Sequence, residues 1–391
     1  MSQLSRYLSV ADFERGARRF LPRSVFEFVR GGTEDERSLG ANTQAFDRVR
    51  FRPRGLRDVS GRTQEIELWG KTLASPLGIA PTGLAGIVRH DCDLMLARQA
   101  ARAQLPFILS GASNVPLERV LKEVPGCWYQ AYFAGDRARI ETIVQRLENA
   151  AVDVLVVTID TCTGANRENN LRNHFSVPFR LTWPLLMDGL RHPRWSLGVF
   201  ARTLMASGIP RFANMAGSPG ARINEDTPQG FRAGRDQLCW EDLKWLRQRW
   251  RGKLIVKGVM HPADAELAAL IGVDAVVVSN HGGRQLDGTL GALEALPAIV
   301  AQVPAHLPVF IDGGFRRGAD VLKALALGAK MVFVGRATLY GAAVAGEAGV
   351  RRVIELLQGE IDRDLALLGC RGVADVVRDL VALAPAQGEL A

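Results

Sequence analysis

From residue 75 onward the chain alternates short apolar runs with longer stretches of helical periodicity. The runs are Pro76–Pro81, Pro106–Ser110, Trp128–Tyr132, Val154–Asp160, Leu254–Gly258, Ala275–Asn280, Val309–Gly313 and Met331–Gly335. Apolar runs this short, bounded by polar or glycine residues, suit strands buried on both faces of a parallel sheet. Eight strand-then-helix units predict a (β/α)8 TIM barrel rather than an open doubly wound sheet. All spacings are short except that from Asp160 to Leu254, which is too long for one crossover and predicts an insertion after strand four. Ahead of the barrel, Ser9 is placed to cap a first helix, and Pro22 opens a second that ends near Gly31-Gly32. Residues 1–391 thus read as a single α/β domain, with the barrel at about 75–370 and the insertion at about 177–236.

Polar residues gather where the apolar runs end. They are Thr82-Gly83, Ser110, Gln130 with Tyr132, Thr158 with Asp160, Lys257, Ser279 with His281 and Arg284, Asp312 with Gly314 and Arg316, and Gly335-Arg336. One polar strand end is ordinarily a cap or a solvated tip. Eight in phase, on the face where barrel sites form, predict a site. Within Ser279-Asn280-His281-Gly282-Gly283-Arg284-Gln285-Leu286-Asp287, His281 can exchange a proton near neutral pH. Arg284 offers a planar cation that matches a carboxylate. A base and an anion clamp this close suit a small organic acid. Asp312-Gly313-Gly314-Phe315-Arg316-Arg317-Gly318 together with Gly335-Arg336 reads as a phosphate site, built from exposed N–H groups and guanidinium charge. Lys257 ends an apolar strand and there needs an anionic partner, unless it snorkels out of the barrel mouth.

Composition narrows the classes. Hydrophobic content of 47% and charged content of 23% are those of an ordinary soluble globular chain. A formal charge of +8 fits anionic substrates, an acidic membrane surface or nucleic acid. No Lys/Arg block or RNA-binding motif supports nucleic acid. The five cysteines lie far apart without a C-x-x-C pair, which argues against zinc and a disulfide framework and for a reducing, cytoplasmic compartment. Residues 1–30 show no signal-peptide pattern, and no run of apolar residues is long enough to span a membrane. No metal cluster, G-x-G-x-x-G or Walker pattern appears.

The string Ser279–Asp287 resembles the active-site signature of the FMN-dependent (S)-2-hydroxy acid dehydrogenases and oxidases, and the resemblance runs from about Phe20 to Gly369. It implies an FMN cofactor and His281 as the base, with Asp160 orienting the imidazole. The competing reading of Asp160 is a helix cap ahead of Thr161. Arg284, Arg167 and Tyr132 become the substrate and transition-state group, Arg167 by its family spacing from Asp160. Thr82, Gly83, Ser110, Gln130, Thr158, Lys257 and Ser279 are assigned to the flavin. Asp312 is assigned to the ribityl hydroxyls, and Gly314, Arg316, Gly335 and Arg336 to the phosphate. One departure stands out: Phe28 occupies the position of a substrate-facing tyrosine. Gly83, where oxidase-like members carry alanine, favours a dehydrogenase. The resemblance also implies a homo-oligomer, a tetramer.

The insertion divides in two. Val177 to Met215 mixes tryptophans and aliphatic residues with five arginines and one acid, Asp188. Ala216 to Asp236 is rich in Gly and Pro and is expected to be mobile. The first part fits an interfacial membrane anchor, a flap or a subunit contact, and Gly189–Leu197 resembles the matching stretch of membrane-associated mandelate dehydrogenases. The sequence therefore predicts FMN-dependent oxidation of an (S)-2-hydroxy acid, mandelate-like or lactate-like, to the 2-oxo acid. Electrons would pass to a quinone or similar acceptor, in a cytoplasmic protein peripheral to the inner membrane face. Three alternatives stand beside this: an oxygen-using oxidase or monooxygenase, an oxidoreductase for a bulky or peptide-derived substrate, and a silent scaffold.

Overall fold

The computed structural model describes residues 3–215, 220–225 and 232–384. Each apolar run contains one strand: β1 (Leu77–Ile79), β2 (Ile108–Ser110), β3 (Trp128–Ala131), β4 (Val154–Thr158), β5 (Lys253–Val259), β6 (Ala275–Val278), β7 (Val309–Asp312) and β8 (Met331–Val334). The strands pair in parallel in chain order, β8 returns to β1, and a bridge from Ile79 to Phe107 closes the ring. This is the (β/α)8 barrel expected. Asp160 and Asn280 lie just past the strands whose apolar runs they end.

Because side chains alternate along a strand, every second residue faces the barrel axis. Ile108, Trp128, Val156, Ile255, Val277, Phe310, Met331 and Phe333 form this inner cluster and are buried. The same parity carried toward the C-terminal ends gives Ser110, Gln130, Thr158, Lys257, Ser279 and Asp312. All are buried. The top layer of the barrel interior is therefore polar by register. Residues of the opposite parity, such as Leu155, Val157, Val276 and Ile311, pack outward against the helices. Truncating an inner aromatic such as Phe310 would cost about 3–5 kcal/mol.

A hairpin that sequence reasoning missed, Ile66–Leu68 with Lys71–Leu73, adds Ile66 and Leu68 to the inner cluster, and Trp69 at its turn packs against Trp128 and Phe310. Both N-terminal helices form as expected, Val10–Phe20 and Arg23–Arg30, with Ser9 accepting a hydrogen bond from the Asp12 amide. A third helix, Arg37–Gln44, brings Asn42 against the loop after β6.

The first part of the insertion folds into helical segments at Trp183–Arg191, Pro193–Trp195 and Arg202–Ser207, with a wider π-type turn at Ser196–Ala201 between them. Its acid, Asp188, accepts from the Arg23 and Ser24 amides and so caps the helix Arg23–Arg30. Trp195 donates its indole N–H to the Ile87 carbonyl. These contacts dock one side of the arm. The other side exposes Trp183, Leu190, Leu197 and Met205. Of the second part, 216–219 and 226–231 lie outside the described residues, and so does much of the stretch expected to be mobile. Among the described residues no helix is long and apolar enough to cross a membrane.

Candidate active site

The loop after β6 is held from beneath. Asn280 accepts from Asn42 Nδ2 at 2.8 Å and from the Gly283 amide at 3.1 Å, and Asp287 accepts from the Arg37 and Ser38 amides. The signature string is thereby tied to the third N-terminal helix. His281 sits in the left-handed region, φ 58°, a strained conformation for a side-chain-bearing residue that such tethering sustains. Its Nδ1 lies 2.9 Å from Asp160 Oδ1. Nε2 is left toward the cavity.

Asp160 reaches this position because β5 bulges beside it. Gly258 has φ 104°, and a Cβ there would come within 2.8 Å of Asp160. Gln285 Nε2 donates to the Asp160 carbonyl. Burial pushes the Asp160 carboxyl up, but the charge and hydrogen bond of His281, then Lys257, outweigh it and its pKa is lowered. Burial lowers the His281 pKa, Asp160 opposes this, and Lys257 and Arg167 add to the lowering. The imidazole is thus held neutral beside an ionised carboxylate, the state a general base requires.

A cleft at the C-terminal end of the barrel is lined by Phe28, Thr82, Gly83, Tyr132, Thr158, Arg167, Lys257, His281, Arg284, Asp312, Gly314, Arg316, Gly335 and Arg336. Fourteen of the residues singled out from the sequence thus share one cavity. Asp160 stands behind His281. Ser110, Gln130 and Ser279 lie beneath the lining, with Ser110 donating to Gln130 Oε1, and Gln130 Nε2 to the Ala131 carbonyl. Lys257 Nζ meets Asp312 Oδ2 at 2.8 Å and Ser279 Oγ at 2.7 Å. Burial lowers the Lys257 pKa, yet Asp312 and Asp160 outweigh that and raise it. The lysine therefore already has an anionic partner, and does not snorkel.

Arg284 donates through Nη1 to the Phe28 and Gly31 carbonyls, and its guanidinium lies over the Phe28 ring. Phe175 stacks on that same ring at 4.4 Å. Arg167 donates to the Arg284 carbonyl and to Gln285 Oε1. The Arg284 pKa is lowered by burial and by the Arg167 and Arg336 charges. That of Arg167 falls to about 10 through burial and the neighbouring Arg232. Clustered, desolvated guanidiniums of this kind call for anions.

The residues fit FMN. Among the described residues Thr82 Oγ1 and Thr158 Oγ1, at the flavin end, are buried polar atoms without a partner, the mark of a site completed by a ligand. At the other end Gly314 has φ 85°, and a Cβ there would strike the Asn42 carbonyl at 2.3 Å. Only glycine lets the chain turn its amides to that corner. Arg316 and Arg336 supply charge beside it, Arg336 being anchored on the Val29 and Gly31 carbonyls.

Sequence reasoning missed Arg235, Arg232, Met215 and Phe212, which also line the cleft. All come from the insertion, whose residues follow no strand register. The stacking partner Phe175 was likewise unforeseen.

The model of the FMN-dependent dehydrogenase family matches residues 17–383. The chain is 40% identical to (S)-mandelate dehydrogenase of Pseudomonas putida, over 95% of this chain and 93% of the relative. It is 37% identical to human 2-hydroxyacid oxidase 2, over 95% and 97% of the two chains. Its structure superposes on the crystal structure of the monotopic membrane protein (S)-mandelate dehydrogenase with a TM-score of 0.87 and 38% identity, covering 96% of this chain and 99% of that one.

Proposed function

The chain belongs to the FMN-dependent dehydrogenase family and oxidises 2-hydroxy acids with FMN as cofactor; from that premise we propose that its substrate is an (S)-2-hydroxy acid, mandelate-like or lactate-like, and that a quinone or similar acceptor takes the electrons. The observation that carries the reading is the His281–Asp160 pair, 2.9 Å apart, opening on the same cleft as Arg284 and Arg167. A single hydrophobic cluster draws its buried residues from both ends of the chain, Val10 to Val381, and from the barrel helices between, which supports one catalytic domain.

Arg284 and Arg167 clamp the substrate carboxylate, since both keep donors free beyond their backbone bonds. This orients the carbinol toward His281 Nε2, which removes the hydroxyl proton. Asp160 fixes the tautomer through Nδ1 and stabilises the imidazolium so formed. Tyr132, whose phenol is kept protonated by burial and by Asp160, donates a hydrogen bond to the substrate oxygen. When bound, FMN accepts the two electrons of the oxidation. Thr82, Thr158, Lys257 and the layer of Ser110, Gln130 and Ser279 support its ring. Asp312 meets the ribityl chain, and Gly314, Arg316, Gly335 and Arg336 meet the phosphate.

A Cβ at Gly83 would press to 2.8 Å on the Ala112 Cβ, which supports a glycine-type, dehydrogenase-like flavin environment. The oxygen-using alternative is favoured by a different observation, the likeness to mandelate oxidase at a TM-score of 0.80 and 34% identity. The exposed Trp183, Leu190, Leu197 and Met205, with arginines among them, support peripheral contact with an anionic membrane face. The assembly that the family resemblance favours is a homo-tetramer, a mass that light scattering reads directly. Anaerobic mixing with paired (S)- and (R)-2-hydroxy acids tests the core reading. The (S) acids should bleach the flavin and yield the 2-oxo acid, with reoxidation by a quinone analogue faster than by oxygen. Bleaching by none of them would refute it, and stoichiometric hydrogen peroxide would move the acceptor to oxygen.

A further inference from the structure

The cleft holds more positive charge than a simple 2-hydroxy acid and FMN use. Arg316 and Arg336 face the phosphate corner, Lys257 is paired with Asp312, and Arg284 and Arg167 serve the substrate carboxylate. Arg235 and Arg232 remain. Arg235 is only 9% exposed, and its hydrogen-bond partner is the Met215 thioether, at 4.0 Å. Among the described residues neither arginine forms an ion pair. Burying a guanidinium without an anion is costly, and such a group is ordinarily completed by a ligand.

The position is specific. The Arg235 guanidinium lies 4.6 Å from the Tyr132 ring centroid, and that ring lies 6.4 Å from the His281 ring. Arg235 and the base are thus both neighbours of Tyr132, and all three line one cleft. Arg232 lines the same cleft, and its charge adds to burial in lowering the pKa of both Arg167 and Arg235. Phe212 and Met215 line the same cleft. The insertion thus brings apolar and cationic side chains to the cleft together.

Resting on the reading of the cleft as a 2-hydroxy acid site, we infer that the substrate's side chain ends in a second anionic group, a carboxylate, bound by Arg235 with Arg232. The preferred substrates are 2-hydroxy acids with a distal carboxylate, aliphatic or aryl. This assigns Arg235 as a specificity-determining residue. Tyr132 lies beneath its guanidinium and shares it only through the ring face.

The test compares acids matched in size. The pairs are (S)-2-hydroxyglutarate with (S)-2-hydroxypentanoate, and (S)-4-carboxymandelate with (S)-mandelate. For each, kcat/KM is measured with holoenzyme, and Kd for the corresponding 2-oxo acids is read from the oxidised-flavin difference spectrum. A charge-assisted contact predicts a preference of roughly ten- to hundredfold for the distal carboxylate in at least one pair, in both readouts. Arg235→Met should collapse that ratio toward one, and Arg235→Lys should retain part of it. No preference in the native enzyme would overturn the inference, as would a variant that slows both members of a pair equally. If no acid of either kind bleaches the flavin, the underlying 2-hydroxy acid reading fails instead. Bleaching by the neutral acids alone sinks only the second-anion site.

Discussion

Replacing Asp160 by Asn isolates the charge behind the base. An amide oxygen can still accept from His281 Nδ1 across the 2.9 Å contact, and the backbone bond from Gln285 to residue 160 is unaffected. The contact geometry is kept, while the negative charge and the acceptor-only character that fixes the tautomer are lost. Two opposite unit charges about 4 Å apart, at an effective dielectric of about 20, attract by about 4 kcal/mol. A hydrogen bond to a charged group contributes about 1.5–3 kcal/mol. The imidazolium that forms as His281 takes the proton loses support on this scale, so flavin reduction should slow by roughly 10²- to 10³-fold. The pH dependence gives a second handle. His281 must be neutral to act, so kcat/KM falls as pH drops through its folded pKa, already below the ordinary imidazole value because of burial. Asp160 is the group that raises it, so the variant's acid limb should move lower still. Stopped-flow flavin reduction from pH 5 to 8, at matched flavin content, reads both effects. A loss below about tenfold, or an acid limb that stays put or rises, would refute this role for Asp160.

Three further outcomes are expected. Phe28→Tyr should tighten small acids such as lactate by roughly ten- to hundredfold in KM, one added hydrogen bond to a carboxylate, because both faces of the ring are already fixed by Phe175 and Arg284; unchanged KM in a folded variant would contradict it. Arg284→Lys should cost far more than its conserved charge suggests, ~10²-fold or more in kcat/KM, since one ammonium cannot bond the Phe28 and Gly31 carbonyls and also fork a carboxylate. Asp93 is buried, and burial pushes its pKa from 3.8 to about 7. The folded state therefore holds this proton more tightly, and stability is lost as pH rises from about 4 to about 7. Asp93→Asn should remove that slope and raise stability at pH 8 by up to about 4 kcal/mol, read as Tm at pH 5 and 8; an unchanged slope would exclude Asp93 as its source.

Much of the barrel and its cleft was legible because one rule, side-chain alternation along a strand, orders both. Val154, Val156 and Thr158 face inward in succession, as do Ala275, Val277 and Ser279, so the polar residue at the top of an apolar run is aimed before any tertiary contact is known. The signature loop was legible for a related reason: its base and clamp are local in sequence. What escaped was tertiary. The hairpin carrying Trp69 has no helical or long apolar pattern and gains its meaning only by packing on Trp128 and Phe310. Asp188 read as a solitary acid in a basic segment, but caps a helix far away in sequence. Arg235, in a Gly-rich stretch, had no signal at all; only its burial over Tyr132 makes it notable. Ser110 and Gln130 were foreseen at the right places, yet they bond to each other beneath the cleft lining.

The central claim is that His281 is the base that opens the oxidation. The most direct measurement is the stopped-flow rate of anaerobic flavin reduction by a saturating (S)-2-hydroxy acid in His281→Asn, against native enzyme of equal flavin content. General-base help alone supplies ~10²–10⁴. The variant should stay yellow, bind the 2-oxo acid, and reduce its flavin slower by at least that range. A variant that holds FMN and loses less than about tenfold would place the base elsewhere.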